Sequence, residues 1–410
     1  MFVAIAPDAV QAKLNQLTWS GEIDPLADDL SEIVFIIDNI STAYAVAIMA
    51  KGKEIHCIYE CKEITWRKAD FVALFDFILS DVKFLSKRVI SVPHPYLKPS
   101  RTVLGRIISQ LNFAAKVRKL VSLDTSRIYA SSMVSSLLIA YKRRLKRKPI
   151  LIDEGMGSLI ARNRIIFRDG AWIAKLKVVV GDFLLAFQFG IDTPQISLAN
   201  DGHKSVVRVL DYRDFDSSAF ASSLARLERI TSLNSLNVLV LLKGPSATAD
   251  GHPDEKVQLG SAYVEYNLTA ILSYKERLPK HEVPTFFLKS HPMLGNSAGK
   301  LSGLIAALEQ RGLSAHDVLS YVDFPEASSL PAEGLLRYLN FRHVLSLDVS
   351  SLLWNVAYRG AVECFMPISE IIKFSEFEGG THTPLYLLQR RINDLTGGAV
   401  QFFEVEKKVR

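Results

Sequence analysis

The chain has 410 residues, of which 49% are hydrophobic and 22% charged, and its net charge is +6. This length and composition predict a soluble protein of two or three domains, each large enough to bury its own core. Three cysteines exclude a disulfide framework, Cys57 and Cys61 lack the further ligands of a zinc site, and the N-terminus lacks the regions of a signal peptide. A reduced, cytoplasmic setting is therefore expected.

Strand-like and helix-like segments alternate through the first part of the chain. The strand-like runs are 34–39, 55–59, 89–93, 127–131 and 149–155. The helix-like segments between them are 41–52, 70–79, 103–120 and 135–147. Such alternation predicts a parallel sheet with helices on both faces.

A second series of the same kind follows a polar stretch at 213–235, which is interpreted as the connection. Its strand-like runs are 237–242, 285–292, 317–322, 343–351 and 361–366, and its helix-like segments are 263–277, 303–311 and 331–339. The sequence therefore predicts an α/β protein with two Rossmann-like domains, residues 1–232 and 233–383. A C-terminal helical segment, 384–410, is expected to pack back on the first domain.

One apolar segment, Ala171 to Ile191, is long enough to invite a membrane interpretation. Two lysines and an aspartate interrupt it, whereas a transmembrane helix needs ~20 mostly uncharged residues. A buried helix is favoured, and peripheral docking of an amphipathic surface is the alternative.

A basic cluster ends the helix-like segment 135–147. Its members are Lys142, Arg143, Arg144, Lys146, Arg147 and Lys148. A solvated helix end is one interpretation, and a surface for an anionic polymer or an anionic membrane is the other. No ribonucleoprotein motif or zinc finger accompanies the cluster, so a nucleic-acid partner is not expected.

Because ligands of open parallel sheets bind beyond the carboxyl ends of the strands, the residues that follow each strand matter most. The run at 149–155 ends in two acids, Asp153 and Glu154. Gly155 and Gly157 then allow close backbone approach before Ser158. One carboxylate in a cleft can act as general base toward a sugar hydroxyl, and the alternative is an acid that caps the next helix.

The strongest strand of the second series, TFFLKS, leads directly into His291 and Pro292. Proline lacks the N–H that would continue the ladder, so it ends the strand there. Lys289 lies two positions before His291, hence on the same face. A lysine and a histidine side by side suit a phosphate.

A serine pair, Ser350 and Ser351, follows the strand-like run 343–351 and precedes an apolar helix-like segment. Hydroxyls with helix N-terminal amides form an anion site, and an ordinary N-cap is the alternative. Glu333 opens the preceding helix, where a carboxylate can accept from an amino group or simply compensate the helix dipole.

The order of these motifs resembles that of bacterial sialyltransferases with the GT-B fold, which carry a [DE]-[DE]-G motif, an HP motif and a serine pair. The closest resemblance is to the capsular polysialyltransferase family, with its extended G-x-G-[ST] and K-x-H-P motifs. The matching stretches are DEGMGS (153–158), KSHP (289–292) and VLSLDVSSLLWNVA (344–357). The layout is similar over both domains, but the motifs cover a small part of the chain.

The resemblance implies two domains facing a central cleft and an inverting transfer of sialic acid from CMP-sialic acid, without a metal or other cofactor. Asp153 would be the general base, and His291 would stabilise or protonate the departing CMP phosphate. The donor-binding residues would be Lys289, Pro292, Glu333, Ser350 and Ser351, with the serines at the phosphate and Glu333 at the cytidine. Glu154, Gly155, Gly157 and Ser158 would support the acidic motif.

The implied setting is capsular polysaccharide synthesis by a peripheral protein on the cytoplasmic face of the inner membrane, with a glycan or glycolipid acceptor. Two alternatives remain open. One is another GT-B transferase that uses CMP-Kdo or a UDP- or GDP-sugar, and the other is a non-catalytic glycan-binding relative.

Overall fold

A computed structural model describes a set of segments that together form two sheets and their helices. These are residues 33–62, 68–92, 103–121, 123, 127–131, 135–141, 149–152, 195–197, 206–233, 236–242, 261–289, 299–313, 318–320, 332–347, 362–367, 393–394, 397–403 and 405.

The first sheet has seven strands, and every neighbouring pair is parallel. Its strands are β1 (Ile33–Ile37), β2 (Glu54–Lys62), β3 (Lys83–Val92), β4 (Arg127–Ser131), β5 (Ile150–Ile152), β6 (Gln195–Ser197) and β7 (Val206–Val209). The helices among them are α1 (Ile40–Met49), α2 (Lys68–Ile78), α3 (Val103–Leu120) and α4 (Ser136–Tyr141). The spatial order is β3-β2-β1-β4-β5-β6-β7. The order therefore reverses between β1 and β4, which is where sheets of this kind bind ligands.

The second sheet has six strands, again with every pair parallel. Its strands are β8 (Leu236–Leu241), β9 (Pro284–Lys289), β10 (Val318–Ser320), β11 (His343–Ser346), β12 (Glu363–Pro367) and β13 (Val400–Phe403). The helices of this part are α5 (Ser218–Leu233), α6 (Ser261–Lys275), α7 (Gly299–Gln310) and α8 (Ala332–Tyr338). The order β10-β9-β8-β11-β12-β13 places the reversal between β8 and β11. The predicted fold class, α/β with two successive Rossmann-like parallel sheets, is confirmed.

The chain divides into two compact units within residues 210–220. The first unit extends to Leu210 and takes in Asp214–Ala219, and the second holds Asp211–Arg213 and the chain from Phe220 onward. Helix α5 therefore belongs to the second unit apart from its first two residues.

Each unit has its own buried core. In the first, Ile36, Ile58 and Ile128 from the sheet pack with Val117 and Leu137 from α3 and α4. In the second, all residues of β8 and β9 are buried. Such continuous apolar runs are typical of strands that helices cover on both faces.

Three short strands, one helix and one strand extension were not predicted. β6, β7 and β13 have only three or four residues each, too few to show a pattern. Helix α5 replaces most of the predicted connection 213–235, with a buried face repeating at Phe220, Leu224 and Leu227. β3 begins at Lys83, whereas the predicted strand begins at residue 89. The first half of the strand is largely exposed, so it lacks the apolar run that indicates a buried strand.

The C-terminal segment differs from the expected returning helix at residues 400–403. Gly397 and Gly398 have φ values of 72° and 78°, a conformation that favours glycine and ends a preceding helix. The chain then forms β13, which pairs with β12 in the second sheet. Residues 384–392 and the apolar segment 171–191 lie outside the described residues.

Among the residues that the structure describes, no helix combines the length and apolar character needed to cross a membrane.

Candidate functional site

Lys289 is the last residue of β9 and is only 7% exposed. Its carbonyl oxygen accepts from the N–H of Leu242, so the main chain stays paired up to the carboxyl end of the strand. Phe286 and Leu288 belong to the core formed with α6 and α7. Because side chains alternate along a strand, Phe287 and Lys289 lie on the opposite face of the sheet.

Helix α8 leads into the residue that packs on that opposite face. The ring of Phe341, just beyond the helix, meets the ring of Phe287 edge-on at 5.2 Å. Glu333 is in the first turn of α8 and is half-buried. The charges of Glu333 and Lys289 act on each other.

The environment shifts both groups toward their neutral forms. Burial lowers the pKa of Lys289 to about 8, although the charge of Glu333 opposes this change. Burial likewise raises the pKa of Glu333, while its own N–H and the Lys289 charge act against the rise. A lysine and a glutamate that share a poorly hydrated place stabilise each other's charged form, and this limits both shifts.

Strand β11 lies on the other side of β8 from β9, where the order of the second sheet reverses. Leu347 donates its N–H to the carbonyl of Leu241 at 2.8 Å, and the Tyr266 hydroxyl donates to the Leu347 carbonyl at 2.9 Å. The end of β11 is thereby fixed to β8 and to α6. In the sequence, Ser350 and Ser351, to which the resemblance gives a phosphate-binding role, follow Leu347 by three and four positions.

Most of the remaining predicted site residues lie outside the described residues. They are Asp153, Glu154, Gly155, Gly157, Ser158, His291, Pro292, Ser350 and Ser351, together with the basic cluster Lys142, Arg143, Arg144, Lys146, Arg147 and Lys148. The strands that precede the acid pair and the His-Pro pair, β5 and β9, end at Ile152 and Lys289 as the motif argument requires.

A buried acid that the sequence analysis did not single out, Glu60, lies near the carboxyl end of β2. It is 1% exposed and accepts three hydrogen bonds from the start of α4. The donors are the Ser135 hydroxyl at 2.8 Å, the Ser136 N–H at 2.5 Å and the Leu137 N–H at 3.1 Å. Ser135 also accepts from the Leu138 N–H at 3.0 Å, so the first amides of α4 all have partners.

Asp38 follows β1 and is the charged neighbour of Glu60. Burial is the main reason that the pKa of Glu60 rises to about 7, and the negative charge of Asp38 raises it further. The hydrogen bonds from α4 act in the opposite direction. β2, β1 and β4 are adjacent, so this acid pair lies where the order of the first sheet reverses. The feature of the sequence that could have identified Glu60 is a single acid within the apolar run IHCIYEC.

Comparison with known proteins gives structural neighbours only. No family model matches the sequence. No curated protein matches it either. Among solved structures, the chain is similar to Spinosyn Forosaminyltransferase SpnP, with 12% identity, a TM-score of 0.39 and coverage of 90% of this chain and 92% of that one. It is also similar to the Wall Teichoic Acid Polymerase TagF, with 11% identity, a TM-score of 0.39 and coverage of 96% and 87%. Similarity at this level does not by itself assign an activity.

Proposed function

We propose that this protein is an inverting, metal-independent glycosyltransferase of the GT-B type that uses CMP-sialic acid. Its acceptor is a glycan or glycolipid, and its product is a capsular polysaccharide of the polysialic acid type. The proposal rests on the motif resemblance and on the two-sheet fold, and it includes attachment to the cytoplasmic face of the inner membrane through the basic cluster 142–148.

The observation that carries the proposal is the position of Lys289, which is buried at the carboxyl end of a strand of the second sheet, where the charge of Glu333 acts on it. The two residues come from separate motifs of the implied donor site. The position of Lys289 supports a donor nucleotide in the second unit, because ligands of open parallel sheets bind at this edge.

In the proposed reaction the acceptor hydroxyl oxygen attacks the anomeric carbon of sialic acid while the bond to the CMP phosphate oxygen breaks. Asp153 takes the hydroxyl proton, and His291 donates a hydrogen bond or a proton to the departing phosphate. Ser350 and Ser351 bind that phosphate. A CMP-sugar has one bridging phosphate, so no metal is needed to bridge a diphosphate, and preorganised donors of this kind are worth ~3 kcal/mol each.

Nucleotide-dependent thermal stability tests the proposal. A ligand present at 100 times its dissociation constant adds ~2.7 kcal/mol to the free energy of unfolding, which is enough to raise the melting temperature. We expect stabilisation by CMP and none by UDP or GDP at equal concentration. Stabilisation by UDP or GDP alone would instead favour a transferase that uses a diphosphate-activated sugar.

A further inference from the structure

The basic residues of the chain are concentrated in residues 82–152. This stretch holds sixteen lysines and arginines and a single acid, Asp124, so the rest of the chain carries more acidic than basic residues. It contains β3, α3, β4, α4 and β5 of the first unit. Among the described residues, three of the four exposed large hydrophobic side chains, Leu85, Val89 and Leu120, lie in the same stretch. Basic and exposed apolar side chains therefore occur together in this unit.

The second half of α3 has a buried side and an exposed side. Val117 is buried in the core of the first unit, and Phe113 packs against that core. Lys116, Lys119 and Leu120 are exposed, and Leu120 is 49% exposed. Because residues three and four positions apart on a helix share one face, these three side chains form a single stripe, which we call the α3 stripe.

The charges of the α3 stripe are not compensated by a nearby acid. None of the ion pairs between described residues includes Lys116 or Lys119. The whole of α3 contains no aspartate or glutamate. The stripe therefore presents two lysine ammonium groups and one leucine side chain to solvent.

Hydrogen bonds from Tyr141 place the end of α4 beside the α3 stripe. Tyr141 is the last residue of α4, and its hydroxyl donates to the carbonyl of Val121 and lies 3.3 Å from the carbonyl of Arg118. The basic cluster 142–148 follows Tyr141 directly in the sequence. α3 connects the carboxyl end of β3 to the amino end of β4, so its last turn lies toward the amino edge of the first sheet. Ligands of such sheets bind at the opposite edge.

We propose that the α3 stripe docks on an anionic lipid surface. Anionic lipid headgroups attract the ammonium groups of Lys116 and Lys119, and Leu120 enters the boundary between headgroups and acyl chains. A soluble polyanion would match the two charges but would leave Leu120 in water, so the lipid surface is the better complement. Docking at the amino edge keeps the carboxyl edge of the first sheet open for an acceptor. The inference extends the membrane attachment in the proposed function, which names only the cluster 142–148, and does not depend on the donor.

Flotation of the full chain with lipid vesicles tests this inference. The vesicles contain phosphatidylcholine alone or phosphatidylcholine mixed with phosphatidylglycerol. We expect the double variant Lys116→Gln/Lys119→Gln to bind the mixed vesicles roughly tenfold more weakly at low salt, with the difference vanishing at high salt. We expect Leu120→Ser to weaken binding at both salt concentrations, because salt does not screen the burial of an apolar side chain.

Matched control variants come from exposed positions of the second unit. Lys280→Gln/Arg311→Gln removes the same charge as the lysine double variant, and Val283→Ser removes an apolar side chain that is 64% exposed. Both controls should bind the mixed vesicles as the unsubstituted protein does. Equal melting temperatures show that each variant is folded.

Unchanged vesicle binding by both α3 variants, or an equal loss in the control variants, would overturn the inference and leave sialic acid transfer untouched. An effect of the lysine variant that is confined to binding of soluble oligosialic acid, measured by calorimetry, would show a polyanion in place of lipid and also overturn it. If the unsubstituted protein does not float with the mixed vesicles, membrane docking is overturned, and the proposed transfer is judged separately by its products.

Discussion

At the scale of single residues, the buried acid Glu60 accepts hydrogen bonds from backbone amides. Its carboxylate supplies partners for the Ser136 and Leu137 amides, which have none within α4. Burial and the charge of Asp38 make ionisation costly, so the pKa of Glu60 rises to about 7. The folded protein therefore retains a proton on Glu60 at pH values where the unfolded chain has released it.

The raised pKa predicts a pH-dependent contribution to stability. Between about pH 4.5 and about pH 7 the folded state binds the proton more tightly, so the stability that Glu60 contributes falls as pH rises through that window. The unfolding free energy of the protein relative to its Glu60→Gln variant should therefore decrease from pH 5 to pH 8, by roughly 3 kcal/mol at most. Urea denaturation at both pH values measures the difference.

Glu54→Gln is the control for this experiment, because Glu54 lies on the same strand and is exposed. Its pH profile should follow that of the unsubstituted protein. Equal profiles for the Glu60→Gln variant and the unsubstituted protein would contradict the assignment of a raised pKa.

At the scale of elements, a series of polar side-chain contacts joins the strands β11 and β12 and the helix α6. These contacts lie at the end of the second sheet opposite the candidate site. The hydroxyl of Tyr274 lies 2.5 Å from Nδ1 of His343, whose Nε2 lies 3.8 Å from the half-exposed carboxylate of Glu363. Burial, aided by the charge of Arg342, lowers the pKa of His343, although Glu363 and Glu282 oppose it. The neutral ring lets Nδ1 accept from the tyrosine.

This arrangement predicts a loss of stability on acidification. Because the pKa of His343 is lower in the folded state, its contribution is complete above the ordinary histidine pKa of ~6.5 and declines as pH falls below that value. His343→Gln cannot titrate but can still accept from Tyr274. The unsubstituted protein should therefore lose more unfolding free energy than this variant between pH 7.5 and pH 5.5.

His281→Gln, at an exposed histidine, is the matched substitution and should leave the pH profile unchanged. A His343→Gln profile that runs parallel to that of the unsubstituted protein would contradict a lowered histidine pKa.

The elements also show what the sequence could and could not predict. The starts of long runs such as LNVLVL and PTFFLK were predicted to within one residue, because buried parallel strands are continuously apolar. The predicted run for the edge strand β3 was too short, because an exposed edge strand lacks this continuous apolar pattern. The role of Glu60 was not predicted, because its hydrogen-bond partners are at the start of α4, which is distant in sequence and adjacent only in the fold.

At the scale of the whole molecule, two parallel sheets occur in succession, and each reverses its strand order beside its first strand. The sequence alone indicated this architecture, since strand and helix alternate in both halves. It also assigned Lys289 and Glu333 to one donor site, which stays a prediction, and the charge of Glu333 acts on Lys289. The donor sugar, the acceptor and the roles of Asp153 and His291 stay predictions from the motif resemblance.

Transfer itself is the measurement that tests the central claim most directly. The protein is incubated with CMP-sialic acid and with galactose-terminated and sialylated glycans, and the products are read by mass spectrometry. We predict acceptors enlarged by sialic acid with release of CMP, and a loss of roughly 10²–10⁴-fold in rate for Asp153→Asn, with a marked loss for His291→Ala. Undiminished transfer by both variants, or no transfer from CMP-sialic acid by the unsubstituted protein, would contradict the account.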